Sequence, residues 1–99
     1  MADFILTNEA INDISEIWKY TVQTWSERQA DKYYFLTLEA CQELANGKVK
    51  GKRYAEIDDE LFGHRVVQHI LFYKKISPDK IIVIRILHAQ MDLKNRLKG

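Results

Sequence analysis

Between residues 11 and 25 apolar side chains fall at Ile11, Ile14, Trp18, Val22 and Trp25. Steps of three and four put them on one face of a helix. Thr7 or Asn8 suits its N-cap, because either side-chain oxygen can accept a free first-turn N–H, and Glu9 favours the positive end of the dipole. A second stripe follows at once at Ala30, Tyr34, Thr37, Cys41 and Leu44, widened by Tyr33, Leu38 and Ala45. Between the two lies SERQ (26–29), a capping box in which the Ser26 hydroxyl bonds the Gln29 N–H while the Gln29 side chain reaches back. The first helix therefore stops near Trp25 and the second starts without a linker. Asn46-Gly47 ends it, since glycine takes the left-handed cap conformation without steric cost. Two long helices joined this closely fold back as an antiparallel hairpin.

After the hairpin the period changes from helical to alternating. HILFYKKI (69–76) and KIIVIRILH (80–88) are rich in β-branched and aromatic residues, and SPD (77–79) between them reads as a turn. A weaker strand is predicted over 62–67, and a short one over 4–6. In the last strand Ile82, Ile84, Ile86 and His88 share one parity, and Ile81, Val83, Arg85 and Leu87 the other. Both rows are mostly apolar, which predicts a central strand covered on both faces. One hairpin covers one face, so the other row needs the C-terminal tail, a second chain or a partner peptide. MDLKNRLKG (91–99) reads as a short helix capped by Asp92, with Leu93 and Leu97 on one face and Met91 seating the tail on the sheet. The expected fold is α+β: an N-terminal strand, a helical hairpin on a mostly antiparallel sheet with a three-stranded meander, and a short C-terminal helix, all in one domain spanning 1–99.

Composition narrows the function more by exclusion. With 46% hydrophobic and 29% charged residues the chain is an ordinary globular one. No apolar run approaches a membrane span, the N-terminus lacks the order of a signal peptide, and the lone Cys41 points to a reducing compartment; a cytoplasmic location is expected. A net charge of +1 gives no support to nucleic-acid binding, which normally rests on a basic excess. GKVKGKR (47–53) and EIDDE (56–60) have opposite signs and read as a solvated loop. His64, His69 and His88 match no metal-ligand spacing, and no nucleophile elbow or phosphate loop is present, so no cofactor is expected. An active site would have to be assembled from Arg65, His69, Arg85 and His88, with Lys52 or Arg53, a set able to serve phosphodiester cleavage. The bland alternatives are a hydrogen-bonded His88 and His69, an Arg85 paired with a carboxylate or a partner's carbonyls, and Trp18 and Trp25 in the core.

LTNEAINDISEIWKYT (6–21), QADKYYFLTLEACQELA (29–45), HILFY (69–73) and above all IRILHAQMD (84–92), in this order, resemble the ParE branch of the RelE/ParE toxins of type II toxin–antitoxin modules. The resemblance covers roughly residues 4–97. It implies a toxin that inhibits DNA gyrase by binding, stabilising cleaved DNA complexes without catalysing a reaction, and that is neutralised by a cognate ParD-like antitoxin in a hetero-oligomer. Arg85, His88, Gln90, Met91 and Asp92 are then candidates for target binding, and Arg65, His69, Ile81, Val83 and Leu87 for antitoxin binding. The alternatives are a ribosome-dependent mRNA endonuclease of the RelE type and a non-toxic antitoxin-binding subunit. Three departures stand out: Trp25-Ser26 where the family often has Trp-Gly, Gln90 where an arginine is common before Met-Asp, and RVVQH (65–69) where relatives carry a turn glycine.

Overall fold

The structure, a computed structural model, describes residues 2–90 and Leu97. Strand β1 (Asp3–Leu6) leads into helices α1 (Asn8–Thr24) and α2 (Glu27–Asn46). Four strands follow: β2 (Lys52–Arg53), β3 (Phe62–Val66), β4 (His69–Ser77) and β5 (Lys80–His88). They form one five-stranded sheet in the order β1-β5-β4-β3-β2, antiparallel except for the β1–β5 pair. The expected meander is β3–β4–β5; β4 is the central strand, and β5, expected to be central, lies between β1 and β4 only as far as Val83. The predicted C-terminal helix falls outside the described residues except at Leu97, which is helical.

Local chemistry sets the helix ends where the sequence placed them. Thr7 caps α1 by accepting the Ala10 N–H at 3.0 Å, and also ties it to the sheet, its hydroxyl donating to the Ile84 carbonyl at 2.8 Å. Ser26 caps α2 by accepting the Gln29 N–H at 3.1 Å, but the expected box is not reciprocal, since the Ser26 N–H donates to the Thr21 carbonyl at 3.2 Å. Gly47, at φ +80°, closes α2 with the two bonds of a Schellman motif, Gly47 N–H to Leu44 O and Lys48 N–H to Glu43 O.

Helices and sheet enclose one core built from Ala10, Ile14, Cys41, Leu44, Leu71, Tyr73, Ile81, Val83 and Ile86. Burial holds the Cys41 thiol up at about 12, a packed and unreactive group. The opposite face of the sheet carries a second cluster of Leu61, Ile70, Phe72 and Leu87, covered by Tyr54, Ile57 and Leu97. Of the three covers expected for this row, the C-terminal tail contributes through Leu97, and the connection after β2 adds Tyr54 and Ile57. The acidic stretch after β2 is a tight turn, with Tyr54 O accepting both the Ile57 and Asp58 N–H groups, that aims its apolar residues at the sheet. The charged connection is a lid and not a loose solvated loop.

The parity expected of β5 holds only in part. Phe72 pairs with Arg85, but Tyr73 pairs with Val83, so Ile84 is an extra residue in a β-bulge. Ile81 and Val83 face the helices before it, and Ile86 faces them after it, while Ile84 and Leu87 join the second cluster. A bulge changes which face each residue takes, and alternation read along one strand cannot register it.

Candidate functional site

A cleft of about 590 Å³ opens where the end of α1 and the start of α2 overhang the β3–β4 turn and the end of β5. Its walls are Ile17, Tyr20, Thr21, Trp25 and Val67, and its floor is Tyr33, His69 and His88, with Gln29, Gln68, Gln90 and Glu16 around the mouth. Trp25 is 75% exposed and Tyr20 66%. The bend at the Ser26 cap throws Trp25 off the end of α1, so it is a rim residue and not the core residue that its stripe predicted.

His69 and His88 are directly opposed in the β4–β5 ladder, and their rings meet edge to face with centroids 5.2 Å apart. Each ring's proton position follows from its neighbour. The Tyr33 hydroxyl donates to the Val66 carbonyl at 2.6 Å and stands 2.8 Å from His69 Nδ1. A hydroxyl has one proton, so His69 Nδ1–H must be the donor to Tyr33, which leaves Nε2 of the neutral ring an acceptor. His88 Nδ1 accepts the Gln90 N–H at 3.1 Å, which leaves Nε2 as the protonated nitrogen of that ring. Burial, and then the neighbouring His88, lower the His69 pKa to about 4 against a smaller opposing pull from Asp13. His69 is neutral near pH 7. Burial also raises the Tyr33 pKa, keeping its phenol protonated.

The turn that frames the cleft is strained. Val66 pairs with His69, so Val67 and Gln68 form a two-residue hairpin loop, and Val67 takes φ +56°. That region suits glycine and is hostile to a β-branched side chain. Arg65 braces the turn by donating Nε–H to the Val67 carbonyl at 2.8 Å.

The sequence-level candidates fare unevenly. His88 and Gln90, expected to touch the target, and His69, expected to touch the antitoxin, share this one cleft. Arg85 is occupied elsewhere: Nε and Nη2 donate to the two carboxylate oxygens of Asp13 at 2.8 and 3.1 Å. Ile81, Val83 and Leu87 are 1%, 0% and 3% exposed, so they are core residues and not a contact surface for the antitoxin; the two apolar rows of β5 are covered from within the chain. Met91 and Asp92 lie outside the described residues. Tyr20, Trp25 and Tyr33 were missed as site residues. Trp25, beside a capping serine at a helix end, was the legible signal among them.

The same geometry limits the chemistry. Of the residues able to serve phosphodiester cleavage, only the two histidines line the cleft, and among the described residues Glu16 is the one formally charged residue in its lining. Among the described residues no cationic side chain lines the cleft to meet a developing phosphorane, which such a reaction needs. Among the described residues no group of three or more His, Cys, Asp or Glu side chains is placed to hold a metal ion. The cleft suits an uncharged, largely apolar segment of a partner.

Comparison with known proteins agrees with the order of elements. The family model described as the ParE toxin of the type II toxin–antitoxin system, parDE, matches residues 4–93. Over 97 residues the chain is 32% identical to Toxin ParE of Escherichia coli, covering 98% of this chain and 94% of that one. It is 30% identical over 98 residues to Toxin ParE1 of Mycobacterium tuberculosis, covering 95% of this chain and 96% of the relative. A solved chain of the chromosomal ParDE TA system from P. aeruginosa has the same fold, with a TM-score of 0.74 at 17% identity over 91% of this chain and 98% of that one. The chain belongs to the ParE toxin family of type II toxin–antitoxin systems, within the RelE/ParE superfamily, and is the toxin half of a pair whose other half is a cognate antitoxin.

Proposed function

We propose that this chain, acting as one domain in the cytoplasm, inhibits DNA gyrase by binding it and stabilises cleaved DNA complexes. A ParD-like antitoxin neutralises it by occupying the same cleft in a toxin–antitoxin hetero-oligomer. The observation that carries the reading is the cleft itself. An open recess with exposed aromatic rims, a neutral His69 beside His88 and, among the described residues, no cation in its lining suits a protein segment better than the turnover of a nucleic acid. His88, Gln90 and the adjoining Met91 and Asp92 make the target-binding corner, with His69, Tyr33 and Trp25 continuing it into the cleft. Both proposed partners need this one surface, and competition for it gives neutralisation a physical basis.

The test is a supercoiling and cleavage assay with purified gyrase and the full chain. Accumulation of cleaved DNA, suppressed by stoichiometric antitoxin, is expected. Unimpaired supercoiling with no cleaved DNA at large molar excess overturns the reading. The mRNA endonuclease alternative draws on the convergence of His69 and His88 alone. Site-specific cuts in mRNA on toxin-treated ribosomes, lost in His88→Ala, would establish it in place of the gyrase reading.

A further inference from the structure

We propose that His69 and His88 form a two-point site for one primary carboxamide, the side chain of an Asn or Gln on the antitoxin. This rests on the reading that an antitoxin segment occupies the cleft. The two rings bring opposite hydrogen-bonding roles to one place. His69 donates Nδ1–H to Tyr33, so its Nε2 is an acceptor, and His88 accepts the Gln90 N–H at Nδ1, so its Nε2 carries a proton. Among the described residues neither Nε2 has a hydrogen-bond partner. Neither is a fully enclosed atom, since every such side-chain nitrogen and oxygen among those residues has a partner. Both residues line the cleft, and their ring centres are 5.2 Å apart. One acceptor and one donor thus stand on neighbouring strands, unused by the fold.

That pairing selects the chemistry of the ligand. A primary carboxamide carries an acceptor oxygen and a donor N–H side by side, the complement with which Asn and Gln meet the ring nitrogen and amino group of adenine. Its oxygen takes the His88 Nε2–H, and its N–H meets His69 Nε2. A carboxylate of the same shape brings acceptors only, so one oxygen faces the His69 lone pair, and Glu16 in the lining adds like charge. Protonating His69 would relieve that conflict, but burial resists it, holding the pKa down at about 4. An ammonium brings donors only and leaves the His88 proton unmet. The site therefore separates an amide from the matching acid, which apolar walls alone do not do.

Nitrogen NMR of the imidazole rings in the free chain at neutral pH tests the first step. His69 is expected as the Nδ1–H tautomer and His88 as the Nε2–H tautomer; the same tautomer at both overturns the proposal. Calorimetry with the cognate antitoxin tests the second. Each Asn of its toxin-binding segment is changed to Asp and each Gln to Glu, one at a time. One position is expected to lose at least about tenfold in affinity, as an unmet buried polar group costs. The loss at that position should shrink when the toxin carries His69→Phe, which removes the acceptor and keeps a ring. His69→Gln, whose amide can turn a donor to the acid, should shrink it too, and serves if His69→Phe folds poorly. Absence of any such coupled position overturns the proposal. If Trp25→Ala then leaves antitoxin binding unchanged, the cleft reading falls with it; if Trp25→Ala weakens binding, the cleft stands and the carboxamide alone is wrong. Weaker binding to His69→Phe with no coupled Asn or Gln would assign the pair to a backbone amide of the antitoxin instead.

Discussion

Asp13 and Arg85 lie 72 residues apart in sequence yet form a two-pronged pair, Nε to Oδ2 at 2.8 Å and Nη2 to Oδ1 at 3.1 Å. The same Oδ2 accepts the Ile86 N–H at 2.9 Å. Strand β1 ends opposite Val83, so beyond that point β5 has no neighbouring strand on this side, and α1 supplies a carboxylate in its place. One aspartate thus finishes the sheet edge and holds the arginine of the RILHAQMD segment. The pair also raises the Arg85 pKa, chiefly through the Asp13 hydrogen bond.

Removing the two partners should therefore not be equivalent. Asp13→Ala strands a backbone donor and a guanidinium together and is expected to lower stability by about 2–3 kcal/mol. Arg85→Met keeps the Ile86 bond and much of the stem packing, and about 1 kcal/mol is expected. Urea denaturation of both variants checks the asymmetry. Equal losses would show that the edge cap contributes little.

Val67 offers the reverse case, a position where a substitution should help folding. At φ +56° a β-branched residue is strained, and Asn tolerates that region far better. Val67→Asn should stabilise the chain by about 1 kcal/mol, read as a raised urea midpoint at unchanged slope. Because Val67 also lines the cleft, the same variant should bind partners less well. A stabilised, weaker toxin is the expected combination.

Both cases bear on what could be read beforehand. Helix caps are local chemistry, three or four residues long, and Thr7, Ser26 and Gly47 all act as their types dictate. The bulge at Ile84 depends on how β5 registers with β4 and on the Thr7 hydroxyl waiting at its carbonyl, and neither is written in the alternation of β5. The lid was hidden for another reason: Tyr54, Ile57 and Leu61 are scattered through an acidic run whose net charge dominates a window average. The cleft was half visible. His69 and His88 drew notice as polar residues in apolar strands, but their pairing needed the ladder, and Tyr33 counted only as part of a helix stripe.

His69 should leave a signature in the acid limb of stability. Its ordinary pKa of 6.5 falls to about 4 in the folded chain, so between those values the unfolded chain binds more protons. The stabilising contribution is complete above pH 6.5 and is lost as pH falls toward 4. The ring is only about half buried, so after allowance for solvent screening the loss is about 1–2 kcal/mol. Thermal melts across this range should show it, and His69→Gln should flatten them. Asp58 also has a lowered pKa, from its hydrogen bonds with the Glu60 N–H and Lys74, but its contribution is lost only below the usual carboxylate value of 3.8, outside the histidine window.

Trp25 separates folding from function most cleanly. At 75% exposure its ring buries little against the rest of the chain, so Trp25→Ala should cost under about 1 kcal/mol of stability. If a partner segment lies in the cleft, that ring becomes part of the bound surface, and aromatic anchors of this kind carry about 2 kcal/mol or more of binding. The expected result is a protein that melts like the wild type yet binds antitoxin roughly thirtyfold more weakly by calorimetry. Tyr33→Phe tests the floor of the same cleft. It leaves the His69 Nδ1–H without its acceptor and should cost about 1 kcal/mol in folding. Antitoxin binding unchanged in Trp25→Ala would move the contact surface away from the cleft.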